Sequence, residues 1–210
     1  MKVQTLDESV VREIGHAFGY YDDGKEPGFV SAFSSRDAAA EYICGYVRMS
    51  LKAGMLYTTS ERGEGYIAFL RPGDRFPPGA AFPLLGSVFR SLSLREMGRI
   101  VKYMGRGGPG LHDRMKKEKK PHIFVGMVCV RETYQGQGYM RRVMDLAFAE
   151  GDRLGVPVLL ETDARSKCDK YIHLGMELAE VRDAGPLGKL YDMVRWPASA
   201  DKGERDEVLF

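Results

Sequence analysis

The sequence predicts a mixed α/β (α+β) fold in which a central sheet contains a parallel pair of strands. Two apolar runs, HIFVGMVCV at 122–130 and VPVLLET at 156–162, are typical of buried strands. Between them, from Gly138 onward, apolar side chains recur at helical spacing, and Gly155 with Pro157 ends the helix. A strand, a helix of about four turns and a second strand form a right-handed parallel βαβ unit.

The remaining segments predict further helices and two antiparallel hairpins, which would flank and extend this unit. Helical spacing of apolar residues, or the turn residues that bound short apolar runs, identifies each of them. Ser34 or Ser35 stands where the second helix needs a capping side chain. The predicted helices lie at 8–18, 35–53, 81–104 and 164–175, and the hairpins at 55–59 with 65–70 and at 175–182 with 189–196.

Composition and charge favour one ordinary globular domain. The chain has 210 residues, 44% of them apolar and 29% charged, and a net charge of +2, which gives no reason to expect nucleic acid or a membrane surface as partner. Acidic residues occupy the N-terminus where a signal peptide has its apolar core, so we expect a cytoplasmic protein. Cys44, Cys129 and Cys168 form no CxxC pair, and no histidine cluster has metal spacing, so we expect reduced thiols and no metal.

The stretch TYQGQGYM at 133–140 is a glycine-rich turn at the predicted junction of strand and helix. There the first helical N–H groups lack partners and the helix dipole adds positive charge, which favours an anion. Gly136 and Gly138 let the backbone approach the anion, and Arg141 and Arg142 add positive charge. The stretch lacks the lysine of a GxxxxGK[ST] loop and the third glycine of a dinucleotide motif. These residues alone allow an anion-binding turn or a tight turn without ligand.

Q-G-Q-G-Y-M directly follows the strand H-I-F-V-G-M-V-C-V through R-E-T-Y. This arrangement resembles motif A of the GNAT superfamily of N-acetyltransferases, in which [QR]-x-x-G-x-[GA] follows a V-x-V strand end. Met140 stands where that family usually has glycine or alanine. The resemblance implies that the turn holds the pyrophosphate of acetyl-CoA through Gln135, Gly136, Gln137, Gly138, Tyr139, Met140 and Arg141.

Other segments extend the resemblance, in outline, over residues 8–196. PHIFVGMVCV, LLET, YIHLGM and FLRPG are similar to segments of one bacterial and fungal branch of the family. The asparagine that often precedes the general-acid tyrosine is absent, and Ala164 or Lys167 stands there. The resemblance implies one acetyltransferase domain over 1–196, with its acceptor side in 1–121 and its acetyl-CoA core in 122–176, followed by a polar tail at 197–210.

The resemblance also implies where acetyl-CoA and the leaving thiolate meet the chain. In this family the two parallel strands splay, and the pantetheine arm pairs with the main chain of the first, here Val128, Cys129 and Val130. Tyr171 stands at the position of the tyrosine that protonates the departing thiolate. The acetyl group would pass directly from the thioester to an amine.

An amine that attacks a thioester must first lose a proton, because an alkyl ammonium group has a pKa of about 10.4. Our candidate acceptor of that proton is Glu161, near the carboxyl end of the second predicted strand, where the cleft should open. Asp163 and His122 are weaker candidates, and His122 is better interpreted as a capping or hydrogen-bonding group at a strand start.

In this family the acceptor contacts the loop between the first helices and the loop of the last hairpin, here 20–28 and 183–189. The first loop offers carboxylates and aromatic faces to a cation, through Tyr20, Tyr21, Asp22 and Asp23. These groups suggest a small polyamine-like or aminoglycoside-like amine as acceptor.

Three other functions fit the same motifs. The acceptor could be a protein lysine or N-terminus, or the chain could be a non-catalytic acyl-CoA sensor, for which Met140 is the motive. The turn could instead hold another phosphate ligand, such as a free nucleotide. The resemblance is also compatible with a homodimer formed through a carboxyl-terminal strand.

Overall fold

The computed structural model describes residues 1–21, 24–26, 28–105, 107–185 and 188–198. Within them, the helices are α1 (Glu8–Gly19), α2 (Arg36–Lys52), α3 (Phe82–Ser91), α4 (Leu94–Met104), α5 (Leu111–Lys117), α6 (Tyr139–Leu154) and α7 (Arg165–His173). The strands are β1 (Leu56–Thr58), β2 (Gly65–Leu70), β3 (Ile123–Val130), β4 (Val158–Thr162), β5 (Glu177–Asp183) and β6 (Lys189–Arg195).

The strands form one six-stranded sheet in the order β1-β2-β3-β4-β6-β5. Neighbouring strands are antiparallel except β3 and β4, which are parallel and joined through α6. The predicted mixed sheet with a parallel pair is therefore confirmed. The last hairpin enters the sheet in reverse order, because β6 inserts between β4 and β5.

The two parallel strands are paired over a short stretch and splay apart beyond it. β3 and β4 pair only from Ile123 opposite Val158 to Val125 opposite Leu160, although β3 continues to Val130. Opposite β2, Ala68 pairs with Met127 and the next residue pairs with Val125, so Gly126 is an extra residue in β3. This β-bulge lies where β3 leaves β4, as expected of a feature that bends one strand away from its neighbour.

Helices cover both faces of the sheet. α6 and α7 cover one face, which we call the α6-side core; its buried members include Ile67, Phe69, Ile123, Val125, Val143, Met144, Phe148, Val158 and Leu160. On the opposite face, α1 and α2 pack over β1, β2 and the end of β3, where Tyr66, Ala68, Met127 and Cys129 are buried. On that same face α5 packs over β4 and β6 through Leu111, Met115, Leu159, Val194 and Trp196.

Two local predictions concern helix starts. The Ser35 side chain accepts a hydrogen bond from the Ala38 amide at 3.1 Å and caps α2, as predicted. The predicted helix over 81–104 is instead two helices. Ser93 and Glu96 exchange hydrogen bonds between side chain and backbone, at 3.3 and 2.8 Å, and this capping box starts α4 anew.

Among the described residues, no helix combines the length and the apolar character that crossing a membrane requires.

The α6-side core should dominate the stability of the fold. Met144 is fully buried in it, whereas the next residue on α6, Asp145, is exposed. We expect Met144→Ala to lower the free energy of unfolding by about 2–5 kcal/mol, because it leaves a cavity, and Asp145→Ala to change it by less than about 0.5 kcal/mol. Urea denaturation of both variants measures the difference; similar losses would contradict the assignment of this helix face.

Candidate active site

The glycine turn has the backbone of an anion-binding site. Gly136 and Gly138 have φ values of +74° and +79°, a left-handed conformation that side chains with a Cβ disfavour. Gly138 is the N-cap of α6, no side chain caps the helix there, and no acidic residue lies in its first turn. The first amides of α6 therefore offer their N–H groups and the positive end of the helix dipole to a ligand.

Two glutamines brace this turn. The Gln135 side-chain amide donates to the Val130 carbonyl at 3.1 Å, and the Gln137 side-chain amide donates to the Thr133 carbonyl at 3.0 Å. Both residues were predicted to contact the cofactor. Because both side chains are hydrogen-bonded within the turn, Gln135 and Gln137 would contact a phosphate through their backbone amides.

The first turn of α6 carries the positive charge. The exposed Arg141 donates to the His173 carbonyl at 3.1 Å, which links α6 to the end of α7. The Arg142 guanidinium lies 4.9 Å from the ring centre of Tyr139. Met140 is half-buried beside them. Uncapped amides, left-handed glycines and arginines together form a donor set that fits a pyrophosphate.

The end of β3 beyond the bulge is the predicted contact for the pantetheine arm. Val128 and Val130 are half-buried, and Val128 packs against the α6-side core. Cys129 is buried on the opposite face, where burial raises the pKa of its thiol to about 12. The thiolate is therefore scarce at neutral pH, and Cys129 is unsuited to act as a nucleophile.

A cavity of about 200 Å³ lies on the α5 face of the sheet, beside the splay. Its walls come from the start of α5, the start of β3, the end of β4 and the middle of β6. The lining residues are Gly110, Leu111, His112, Asp113, Phe124, Leu159, Leu160, Glu161 and Asp192. The predicted proton acceptor Glu161 therefore lies where an acceptor amine could approach the splay.

A buried ion-pair network forms the floor of this cavity. Arg182 and Asp192 are only 7% and 3% exposed, and the Arg182 guanidinium donates to Asp192 at 2.7 and 3.2 Å. It also donates to Glu161, which lies directly opposite Asp192 in the β4–β6 pairing. Two carboxylates side by side would repel each other, and the shared guanidinium removes that repulsion. Protonation of Glu161 would forfeit its attraction to Arg182.

The same guanidinium positions the start of α5. Arg182 donates to the Gly108 carbonyl at 2.9 Å, and Asp192 accepts from the Leu111 amide at 3.4 Å. At Gly110 a Cβ would come within 2.8 Å of Arg182, so only glycine passes this close to the network. Sequence reasoning missed Arg182 and Asp192. The sequence feature that could have identified them is one charged residue at an inward-facing position of each strand of the last hairpin, Arg182 on β5 and Asp192 on β6.

The predicted general acid, Tyr171, lies on α7 and packs against the α6-side core. Burial raises the pKa of its hydroxyl above 10, and the charge of Asp163 adds to the effect. Asp163, the weaker candidate base, is already bonded: it accepts from the Phe29 amide at 2.5 Å and from Lys167 at 2.6 Å.

The two tyrosines predicted to bind the acceptor, Tyr20 and Tyr21, each contact other side chains of the protein. The Tyr20 hydroxyl donates to Asp37 at 2.7 Å, and its ring stacks on His16 with centroids 4.2 Å apart. The Tyr21 ring faces the Lys167 ammonium at 4.3 Å, so one of its faces already holds a cation. Asp22 and Asp23 lie outside the described residues.

The first loop also lies against the end of β4, and we call this segment, residues 24–26 and 28–33, the strap. Glu26 accepts from the Tyr191 hydroxyl at 2.9 Å and from the Arg165 amide. Together with the bond from Phe29 to Asp163, these contacts fix the strap to β4, β6 and α7. The strap is therefore held against the end of β4 and the start of α7.

Comparisons with known proteins identify a family model that matches part of the chain and solved structures that share its fold. The model of the acetyltransferase (GNAT) family matches residues 96–168. A Corynebacterium glutamicum structure described as histone acetyltransferase HPA2 and related acetyltransferase has 15% identity and a TM-score of 0.57, covering 95% of this chain and 96% of its own. Mosquito arylalkylamine N-acetyltransferase like 5b has 16% identity and a TM-score of 0.57, covering 93% and 98%.

Arylalkylamine N-acetyltransferase 2 from Aedes aegypti has 11% identity and a TM-score of 0.53, covering 91% of this chain and 96% of its own. At these identities the three structures show a shared fold. No curated protein sequence matches the chain.

The left-handed glycine at the start of α6 gives a test with a matched control. Gly138 and Gly155 have φ values of +79° and +66°, cap opposite ends of the same helix, and have open space where a Cβ would stand. Alanine at either position should cost about 1–2 kcal/mol of unfolding free energy. We expect only Gly138→Ala to weaken acetyl-CoA binding, by roughly tenfold in Kd. Equal Kd values by calorimetry would contradict the pyrophosphate assignment.

Proposed function

We propose that this chain, whose residues 96–168 match the model of the acetyltransferase (GNAT) family, transfers the acetyl group of acetyl-CoA to a primary amine of a small molecule. The chain is an acyltransferase, and its amine would attack the thioester directly. The observation that carries the proposal is the splay of β3 from β4, directly before a left-handed glycine turn and an uncapped helix.

When bound, acetyl-CoA supplies an acyl carbon activated as a thioester. The amides of residues 136–141 would hold its pyrophosphate, and the main chain of residues 128–130 would align its pantetheine arm along the open edge of β3. Because the Val130 carbonyl already accepts a hydrogen bond from the Gln135 side chain, the backbone of Val128 and Cys129 is the more accessible part of that edge. A backbone amide of β3 near the bulge would stabilise the negative charge that develops on the carbonyl oxygen.

The cavity beside the splay is the proposed acceptor site. Its carboxylates, Glu161 and Asp192, suit the approach of a cationic amine. Glu161 remains the sequence-predicted acceptor of the proton that the amine must lose, although its ion pair with Arg182 opposes protonation. Tyr171 is the proposed donor of a proton to the departing thiolate, since its raised pKa keeps the hydroxyl protonated at neutral pH.

Two observations favour a small acceptor over an intact protein. The cavity holds only about 200 Å³. Two of the similar structures are named arylalkylamine N-acetyltransferases, which is consistent with a small amine. Tyr20 and Tyr21 have other partners, so any role in acceptor binding would require them to exchange those partners.

Thermal unfolding with and without acetyl-CoA tests the cofactor. Ligand at 100 times its Kd adds about 2.7 kcal/mol of stability, which at this size raises Tm by roughly 5–10 °C. We expect this shift with acetyl-CoA and with free CoA, and none with ATP or NAD. A shift with ATP instead would indicate a nucleotide site, and no shift with millimolar acetyl-CoA would refute the proposal. A panel of small amines, scored by release of free CoA thiol, then identifies the acceptor class.

The general acid gives a second test. We expect Tyr171→Phe to lower kcat by roughly 10²-fold, because the thiolate then departs without a positioned proton donor, while Kd for acetyl-CoA stays unchanged. Tyr42→Phe is the control, since Tyr42 is another half-buried tyrosine, packed between Phe29 and Phe33 away from the cavity. Unchanged turnover in Tyr171→Phe would remove Tyr171 from the mechanism.

A further inference from the structure

Two histidines that the resemblance does not use form a hydrogen-bonded pair beside the cavity. His112 lies in the first turn of α5, and His122 directly precedes β3. Nδ1 of His112 lies 2.8 Å from Nε2 of His122, whose own Nδ1 lies 2.8 Å from the Lys120 carbonyl oxygen. The three groups form a chain that ends on a backbone acceptor.

These two hydrogen bonds determine which ring nitrogens of His112 and His122 carry protons. A carbonyl oxygen only accepts, so Nδ1 of His122 must carry the proton and Nε2 of a neutral His122 must accept. His112 therefore donates from Nδ1 and keeps the lone pair on Nε2. Burial lowers the pKa of both rings below the usual 6.5, and a charge on His122 would further oppose one on His112. At neutral pH, His112 thus presents an unprotonated nitrogen on the ring edge away from His122.

The position of His112 connects this nitrogen to the splay. The His112 ring stacks on Phe124 with centroids 3.9 Å apart, and it lines the same cavity as Glu161. A ring carbon of Phe124 in turn lies 3.9 Å from where a Cβ on Gly126 would stand. His112, Phe124 and the bulge therefore follow one another along one wall of the opening.

We propose that His112, oriented by His122, takes the proton from the attacking amine; this inference rests on the function proposed above. The ammonium group gives one proton to Nε2 of His112, and the freed lone pair forms the C–N bond at the acyl carbon. The C–S bond then breaks, Tyr171 gives its proton to the thiolate, and the second proton that the nitrogen loses passes through water to the Tyr171 oxygen. Unlike Glu161, His112 gives up no ion pair when it accepts the proton.

Other charges face this pair from every packed element. Asp113 favours a protonated His112 and Lys116 opposes it, and the negative charges of β4 and β6 are balanced by the guanidinium of β5. The groups concerned are Asp113, Lys116, Glu161, Arg182 and Asp192. Because His112 must be unprotonated to act, kcat/KM should fall as the pH drops below 6.5 through the lowered pKa of His112.

The test is His112→Phe, which keeps an aromatic ring for stacking on Phe124. We expect kcat/KM for the amine to fall by roughly 10²–10⁴-fold and its acidic limb below pH 6.5 to disappear, with Kd for acetyl-CoA unchanged. His173→Phe, at an exposed histidine on α7, should keep wild-type kinetics. Glu161→Gln should keep the acidic limb. Wild-type turnover in His112→Phe, or loss of the limb in Glu161→Gln instead, would overturn the assignment.

His122 is a positioning residue, and it has its own test. His122→Gln keeps an oxygen that can accept from Nδ1 of His112, whereas His122→Leu does not. We expect Gln to retain turnover within a few-fold and Leu to lower it at least tenfold; equal losses would overturn the orienting role. If wild-type protein neither binds acetyl-CoA nor releases thiol with any amine, the proposed function itself fails. If wild-type protein is active and His112→Phe equals it, only this inference fails.

Discussion

The arrangement of the site depends on one extra residue in β3. Because Gly126 has no counterpart in β2, the side chains of β3 change faces there. Ile123 and Val125 support α6, whereas Met127 and Cys129 support α1 and α2. Pairing with β4 stops at the same point, so one bulge both seats two helical layers and opens the edge that can receive the cofactor. A Cβ at this position would meet the Tyr46 hydroxyl at 2.0 Å, so a larger residue would have to displace that side chain.

A buried guanidinium performs the corresponding task on the other half of the sheet. Arg182 joins β5 to β6 and β4, and its bond to the Gly108 carbonyl fixes the segment that leads into α5. α5 has only two residues buried against the sheet, Leu111 and Met115, so apolar burial alone holds it weakly. The position of His112 thus depends on a charge network centred on Arg182 of β5, which is one reason for a protein to retain a buried ion pair.

Local signals in the sequence were sufficient for the βαβ unit, the cap at Ser35 and the glycine turn, because each is encoded within a short window. The break between α3 and α4 was also encoded, in S-L-R-E, but the apolar period continues across it. Glu161 was predicted from its strand, whereas its partner Arg182 depends on β6 lying between β4 and β5, which no local pattern determines. No apolar periodicity or motif marks His112 in the sequence. Its role depends on the turn after α5, which brings His122 next to it.

The strap links distant parts of the chain. Glu26 bonds to Tyr191, 165 positions later, and Phe29 bonds to Asp163, 134 positions later. During synthesis the amino-terminal helices leave the ribosome long before these partners exist, and domains gain such long-range contacts late. The strap therefore reaches its final position only after residue 191 has emerged from the ribosome. A nascent chain can fold its first helices early, but the proposed site is complete only after β6 has been synthesised.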